Sequence, residues 1–192
     1  VLLQRVLVEK GHDSISELWP NLEVFFHGGI SFKPYREQYK KIIGKDINYY
    51  EIYNASEGFF AIQDQHGSEE MLLMLDYGIF YEFIPMDKFD PDNLEAISLE
   101  EVEIGKNYAM VITTNSGLWR YLIGDTVRFT SLQPFRIKVS GRTKHYINAF
   151  GEELMIDNVE TALSKACEAT DCSILDFTGA PVFMQQGQSG AH

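Results

Sequence analysis

The chain has 192 residues, 45% of them apolar and 13% aromatic, which is enough for one well-filled core or two modest ones and excludes disorder for most of its length. Sixteen basic residues against 28 acidic ones leave a formal net charge of -12, a potential that repels nucleic acid and anionic lipid while admitting a compact anion wherever a few arginines gather. Cys167 and Cys172 form no disulfide framework or zinc spacing, no apolar run reaches the roughly 18 residues of a membrane span, and no signal sequence opens the chain, so a cytoplasmic setting is expected.

Leu2, Leu3, Val6 and Leu7 recur at helical spacing and predict the end of a helix, after which Ser14 caps a short turn through Trp19 that Pro20 closes. Leu22 to His27 reads as a strand that ends in Gly28-Gly29. Phe32, Tyr35, Tyr39, Ile42 and Ile43 then repeat with a helical period as far as Gly44. Ile47 to Tyr53 predicts another strand, which leads into Ser56-Glu57-Gly58 and continues as Phe59 to Gln63.

From Met71 onward the pattern is of consecutive strands. Met71 to Leu75 and Ile79 to Pro85 predict a hairpin about Asp76-Tyr77-Gly78, and Asp87 to Glu103 a polar, acidic loop. Tyr108 to Thr114, Trp119 to Ile123, Thr126 to Leu132 and Phe135 to Val139 follow as short antiparallel strands, the signature of a curved sheet or partial barrel. Ser140 to Lys144 interrupts them with small and charged residues. Tyr146 to Asn148 then predicts a brief strand, and Asp157 to Ala169 a helix burying Val159, Leu163 and Ala166. The scattered histidines His12, His27, His66, His145 and His192 read as structural or surface residues.

Three places combine residue types that carry nucleotide chemistry. In Tyr53-Asn54-Ala55-Ser56-Glu57-Gly58 a carboxylate at a strand end is suited to Mg²⁺ and the neighbouring hydroxyl to a phosphate oxygen, although the same residues also make a plain turn. Trp119-Arg120-Tyr121-Leu122-Ile123-Gly124-Asp125 ends a predicted strand with a glycine and a carboxylate, which chelates two neighbouring ribose hydroxyls or simply closes a tight turn. Gly141-Arg142 sets a guanidinium on a phosphate or ends a strand with a surface arginine.

In this order the segments resemble the adenylate-forming superfamily, and most closely its auxin-responsive Gretchen Hagen branch of acyl acid amido synthetases. The likeness lies in Tyr53 to Glu57, in Tyr121 to Asp125 and in Gly141 to Glu153. It implies an α/β (mixed α+β) fold. Residues 1–140 would end a large adenylating domain with a mixed sheet and a curved antiparallel sheet or partial barrel, residues 141–144 would be a hinge, and residues 145–192 would begin a small α+β domain. The resemblance further implies that Gly28 and Gly29 line the adenine pocket and that Tyr53 lies along the adenine. Asn54 and Ala55 would share that nucleotide-binding stretch, with Ser56 on the α-phosphate and Glu57 holding magnesium. Asp125 would bind the ribose, Arg142 approach the nucleotide, and Lys144 serve as the pivot of the hinge. Leu122 stands where the superfamily usually has arginine, a role left open to Arg120 or Arg128.

The implied reaction uses ATP and Mg²⁺ to convert a small carboxylic acid into an acyl-adenylate and passes the acyl group to an amine, commonly an amino acid. The sequence has no glycine-rich phosphate loop, which the resemblance puts ahead of Val1, with more of the small domain beyond His192. The chain is thus expected to be an internal piece, inactive alone. Two other readings stand beside this one: a ligase that uses coenzyme A as acceptor, and a non-catalytic β-rich binding module in which Tyr77, Phe80, Tyr81, Phe83 and Trp119 are core or partner surface.

Overall fold

The computed structural model describes residues 2–29, 32, 35–90, 92–143, 147–149, 152–154, 156–170, 172, 174, 177 and 178. The N-terminal part packs three short helices, α1 (Leu2–Lys10), α2 (Ile15–Leu18) and α3 (Arg36–Ile43), about a small apolar centre of Leu7, Ile15 and Ile42. Between α2 and α3 runs β1 (Val24–His27), which pairs in parallel with β2 (Asn48–Ala55), so that α3 is the crossover such a pair requires. Aromatic rings fill the space between the helix and the strands, with Phe25 5.3 Å from Tyr39 and Phe32 5.1 Å from Tyr49.

The remaining strands of the main sheet are β3 (Gly58–Ile62), β4 (Met71–Leu73), β5 (Ile79–Pro85), β6 (Ile97–Ser98), β7 (Asn107–Thr114), β8 (Tyr121–Leu132) and β9 (Phe135–Arg142). They join β1 and β2 in one nine-stranded sheet of order β1-β2-β3-β4-β9-β8-β7-β5-β6, antiparallel everywhere except at β1–β2. A separate antiparallel pair, β10 (Ile147–Ala149) and β11 (Glu152–Leu154), precedes α4 (Ile156–Thr170). Among the described residues no helix is long and apolar enough to cross a membrane.

The sheet curls. Alternate residues of β3, β4, β5, β7, β8 and β9 meet in a single core built on Phe60, Phe83, Tyr108, Phe129 and Ile137, each 1% exposed or less. Rings there pack edge-to-face, with Phe83 and Phe129 5.0 Å apart at 78°. A second, smaller cluster of Ile84, Met86, Ala109 and Val111 lies on the outer face, where Leu122 packs against it.

Four expectations are corrected. Met71–Leu73 and Ile79–Pro85 form no hairpin with each other: β4 sits between β3 and β9, while β5 pairs with β6 and β7. The Asp76-Tyr77-Gly78 bend links the two strands, and Tyr81 Oη donates to the Met74 carbonyl at 3.2 Å. The loop from Asp87 to Glu103 contains the edge strand β6 and a 3₁₀ turn, Leu99–Glu101, started by a reciprocal Ser98–Glu101 cap. Gly124-Asp125 does not end a strand but lies within β8 at an irregularity in its pairing with β7, which absorbs the glycine's φ of +87° without stopping the ladder. Finally, β9 does not stop at Val139 but runs on to Arg142, because Gly141 and Arg142 pair with Thr126 and Asp125.

Candidate functional site

The turn between β2 and β3 consists of Ser56 and Glu57, placed by the pairing of Ala55 with Gly58. A short polar turn of this kind leaves both side chains at the rim of the sheet. Ser56 Oγ donates to Glu57 Oε2 at 3.1 Å, and Tyr121 Oη at the start of β8 donates to Glu57 Oε1 at 3.4 Å. Asn54 and Ala55 are exposed beside them. Gly28 follows β1 directly. A Cβ there would stand 2.3 Å from the Ile52 carbonyl oxygen, so only a glycine lets β1 end this close to the strand that carries Tyr53.

Tyr53 is 7% exposed and lies against Phe60 at 4.9 Å. Its hydroxyl donates to Asp125 Oδ2 at 2.9 Å. Burial, and after it the charge of Asp125, pushes the Tyr53 phenol far above its ordinary range, so it stays a proton donor at any working pH. Asp125 Oδ1 accepts from Arg142 Nε at 3.0 Å, a contact that follows from their being cross-strand partners on β8 and β9. The next residue is tied down as well, since the Thr143 N–H donates to the Gly124 carbonyl at 2.8 Å.

These contacts measure the curvature. From β2 to β8 the sheet takes four steps, about 19 Å at the usual ~4.8 Å per strand, yet Tyr53 and Asp125 are hydrogen-bonded. The curl therefore brings the end of β2, the irregularity in β8 and the end of β9 to one rim. Tyr53, Asp125 and Arg142 are joined directly, and Glu57 enters through Tyr121 from the same strand as Asp125. Lys144 lies outside the described residues.

Arg120, φ +45°, gives its Nε to Glu82 Oε2 at 3.1 Å, and Leu122 packs on the outer cluster, so neither reaches Asp125. Arg128 stands opposite Asn107 and Lys138, further along β8. The cation beside the carboxylate is Arg142. Tyr121 is the participant to which sequence reasoning assigned no role; strand alternation in β8 was the available signal, because it puts Tyr121 and Ile123 on the face opposite Leu122.

A divalent cation fits one carboxylate at this rim. Among the described residues no cluster of three or more His, Cys, Asp or Glu side chains forms a cage, and Mg²⁺ is commonly held by one or two carboxylates with water and substrate phosphates completing the shell. Glu57, half-buried at the turn, meets that requirement. His27 offers no carboxylate: it stacks on Phe32 at 4.3 Å, and burial, then Arg36, lowers its pKa.

This architecture matches part of the fold of a solved acyl acid amido synthetase. The chain superposes on the structure of GH3.15 acyl acid amido synthetase with a TM-score of 0.68 at 22% identity, covering 91% of this chain and 33% of that one. Residues 1–47 match the GH3 family N-terminal domain and residues 72–142 the GH3 family central domain, and the chain belongs to the GH3 family. It is 35% identical over 126 residues to indole-3-acetic acid-amido synthetase GH3.4 of Arabidopsis thaliana, 60% of this chain and 21% of that protein. It is 31% identical over 190 residues to jasmonoyl--L-amino acid synthetase GH3.5 of Oryza sativa subsp. japonica, 85% of this chain and 32% of that protein. The chain thus spans between a fifth and a third of these two relatives' lengths.

Proposed function

We propose that the full-length protein is an ATP-dependent ligase that adenylates a small carboxylic acid and transfers the acyl group to an amino acid, and that this chain supplies the nucleotide-facing rim. The observation that carries the reading is the junction of Tyr53, Asp125 and Arg142, with Glu57 bonded to Tyr121 on the strand of Asp125, three segments of the chain meeting on one rim. The names of the relatives, indole-3-acetic acid-amido and jasmonoyl-amino acid synthetases, support an acid and an amino acid as the substrates.

The residues act by position and charge. Asp125 accepts from the ribose hydroxyls, Arg142 meets the anion, Ser56 donates to the α-phosphate and Glu57 holds Mg²⁺. Gly28 lets β1 end against the Ile52 carbonyl, and Gly29, open on its Cβ side, borders the space for the base. When held there, Mg²⁺ would supply positive charge against that developing on the departing pyrophosphate. Residues 1–140 act as the end of the adenylating domain, with 141–144 as the hinge, Lys144 its pivot, and 145–192 as the start of a smaller unit. The central-domain match and β9 both end at residue 142, inside this proposed hinge, so Gly141 and Arg142 are its sheet-bound side and Lys144 follows them.

In the full-length protein, Glu57→Gln is expected to slow acid-dependent ATP–pyrophosphate exchange by about a hundredfold or more, the effect of losing a metal-held carboxylate. The acids to supply are a panel that includes indole-3-acetate and jasmonate. Exchange at the wild-type rate would take Glu57 out of the site.

A further inference from the structure

The resemblance set Tyr53 along the adenine, yet its ring is 7% exposed and packed on Phe60, and its hydroxyl is engaged by Asp125. We propose that Tyr53 is a positioning residue for sugar recognition: with Arg142 it fixes the Asp125 carboxylate so that one free lone pair on each oxygen faces a vicinal diol. The proposal rests on Asp125 being the ribose acceptor. A carboxylate offers about four acceptor positions over its two oxygens. Tyr53 Oη occupies one on Oδ2 and Arg142 Nε one on Oδ1, which stops the group rotating and leaves an acceptor on each oxygen. Two acceptors held apart by the width of a carboxylate match the two adjacent hydroxyls of a ribose. A carboxylate held from one side only would swing, and part of the chelate would be lost to the entropy of ordering it. The raised phenol pKa keeps the donor protonated throughout the physiological range.

The test uses binding alone, so the acid need not be known. Affinities for Mg²⁺-ATP and Mg²⁺-2′,3′-dideoxy-ATP are measured on the full-length protein, its Tyr53→Phe variant and its Asp125→Asn variant. Phenylalanine keeps the ring against Phe60, and a melting curve verifies that the variant is folded. Tyr53→Phe is expected to weaken ATP about tenfold while leaving the dideoxy nucleotide within about twofold, which narrows the preference for the diol. Replacing Tyr53 with 4-aminophenylalanine, which restores an N–H donor, is expected to widen it again. An unchanged preference in folded Tyr53→Phe, or equal weakening of both nucleotides, overturns the positioning role while a loss of preference in Asp125→Asn upholds the ribose site. If Asp125→Asn also keeps the wild-type preference, the ribose reading fails and this proposal fails with it.

Discussion

Arg136 on β9 is 6% exposed and gives both terminal guanidinium nitrogens, Nη1 and Nη2, to Asp64, which lies just beyond β3. A buried cation needs such a partner, and the forked geometry of arginine makes the contact directional. The hydrogen bond from Arg136 outweighs partial burial and holds the Asp64 carboxyl below the usual carboxylate range. A carboxyl that ionises at lower pH when folded than when unfolded contributes stability that is complete above the unfolded value and vanishes as pH falls through the folded one. The purified protein is accordingly expected to melt above its Asp64→Asn variant at neutral pH, and the gap is expected to close on acidification from about pH 5 to about pH 2. A gap that stays constant over that range would mean that the pair does not govern acid stability.

The same dependence on a neighbouring strand operates between elements. At the end of β1 an added Cβ at position 28 would meet the backbone of β2 rather than a movable side chain. Gly28→Ala is therefore expected to lower stability by about 1–3 kcal/mol, read as a drop in melting temperature, because the parallel pair must separate to relieve the overlap. An unaltered melting temperature would show that β1 ends more loosely than its register implies. Most elements were legible because their signals are local: an apolar run closed by Asn115-Ser116-Gly117 gave β7, helical spacing gave α3 and α4, and the apolar run before Gly28 gave β1. What sequence could not show was pairing. The bend at Asp76-Tyr77-Gly78 has the residues of a hairpin turn, yet it links strands that pair elsewhere, since partner choice is decided by the curl of the whole sheet. Gly124-Asp125 was misread for a related reason: a positive-φ glycine marks a break in regular pairing, and an irregularity inside one long strand satisfies it as well as a turn. Of the site, Asp125 and Arg142 were visible as types, whereas their cross-strand contact and the burial of Tyr53 depend on non-local packing.

For the molecule as a whole, the site and the core are two consequences of one curvature. The rim residues on β2 and β8 meet because Phe60, Phe83, Tyr108 and Phe129 fill the concave side, whereas the outer cluster around Ile84 stabilises β5 and β7 without bending them. Truncation of either cluster lowers stability, by about 3–5 kcal/mol for Phe83→Ala and about 2–5 kcal/mol for Ile84→Ala. Their effects on nucleotide binding should diverge. With the concave side emptied, the sheet relaxes toward a flatter form and Tyr53 draws away from Asp125, so Phe83→Ala is expected to weaken Mg²⁺-ATP binding as well as stability. Ile84→Ala leaves the curvature intact, and its affinity is expected to remain at the wild-type value. Both variants are compared in the full-length protein well below their melting temperatures, so that the unfolded fraction does not enter the affinity. Equal losses of affinity, or none in either, would separate the curl from the site and require Tyr53 and Asp125 to be held together by local contacts alone.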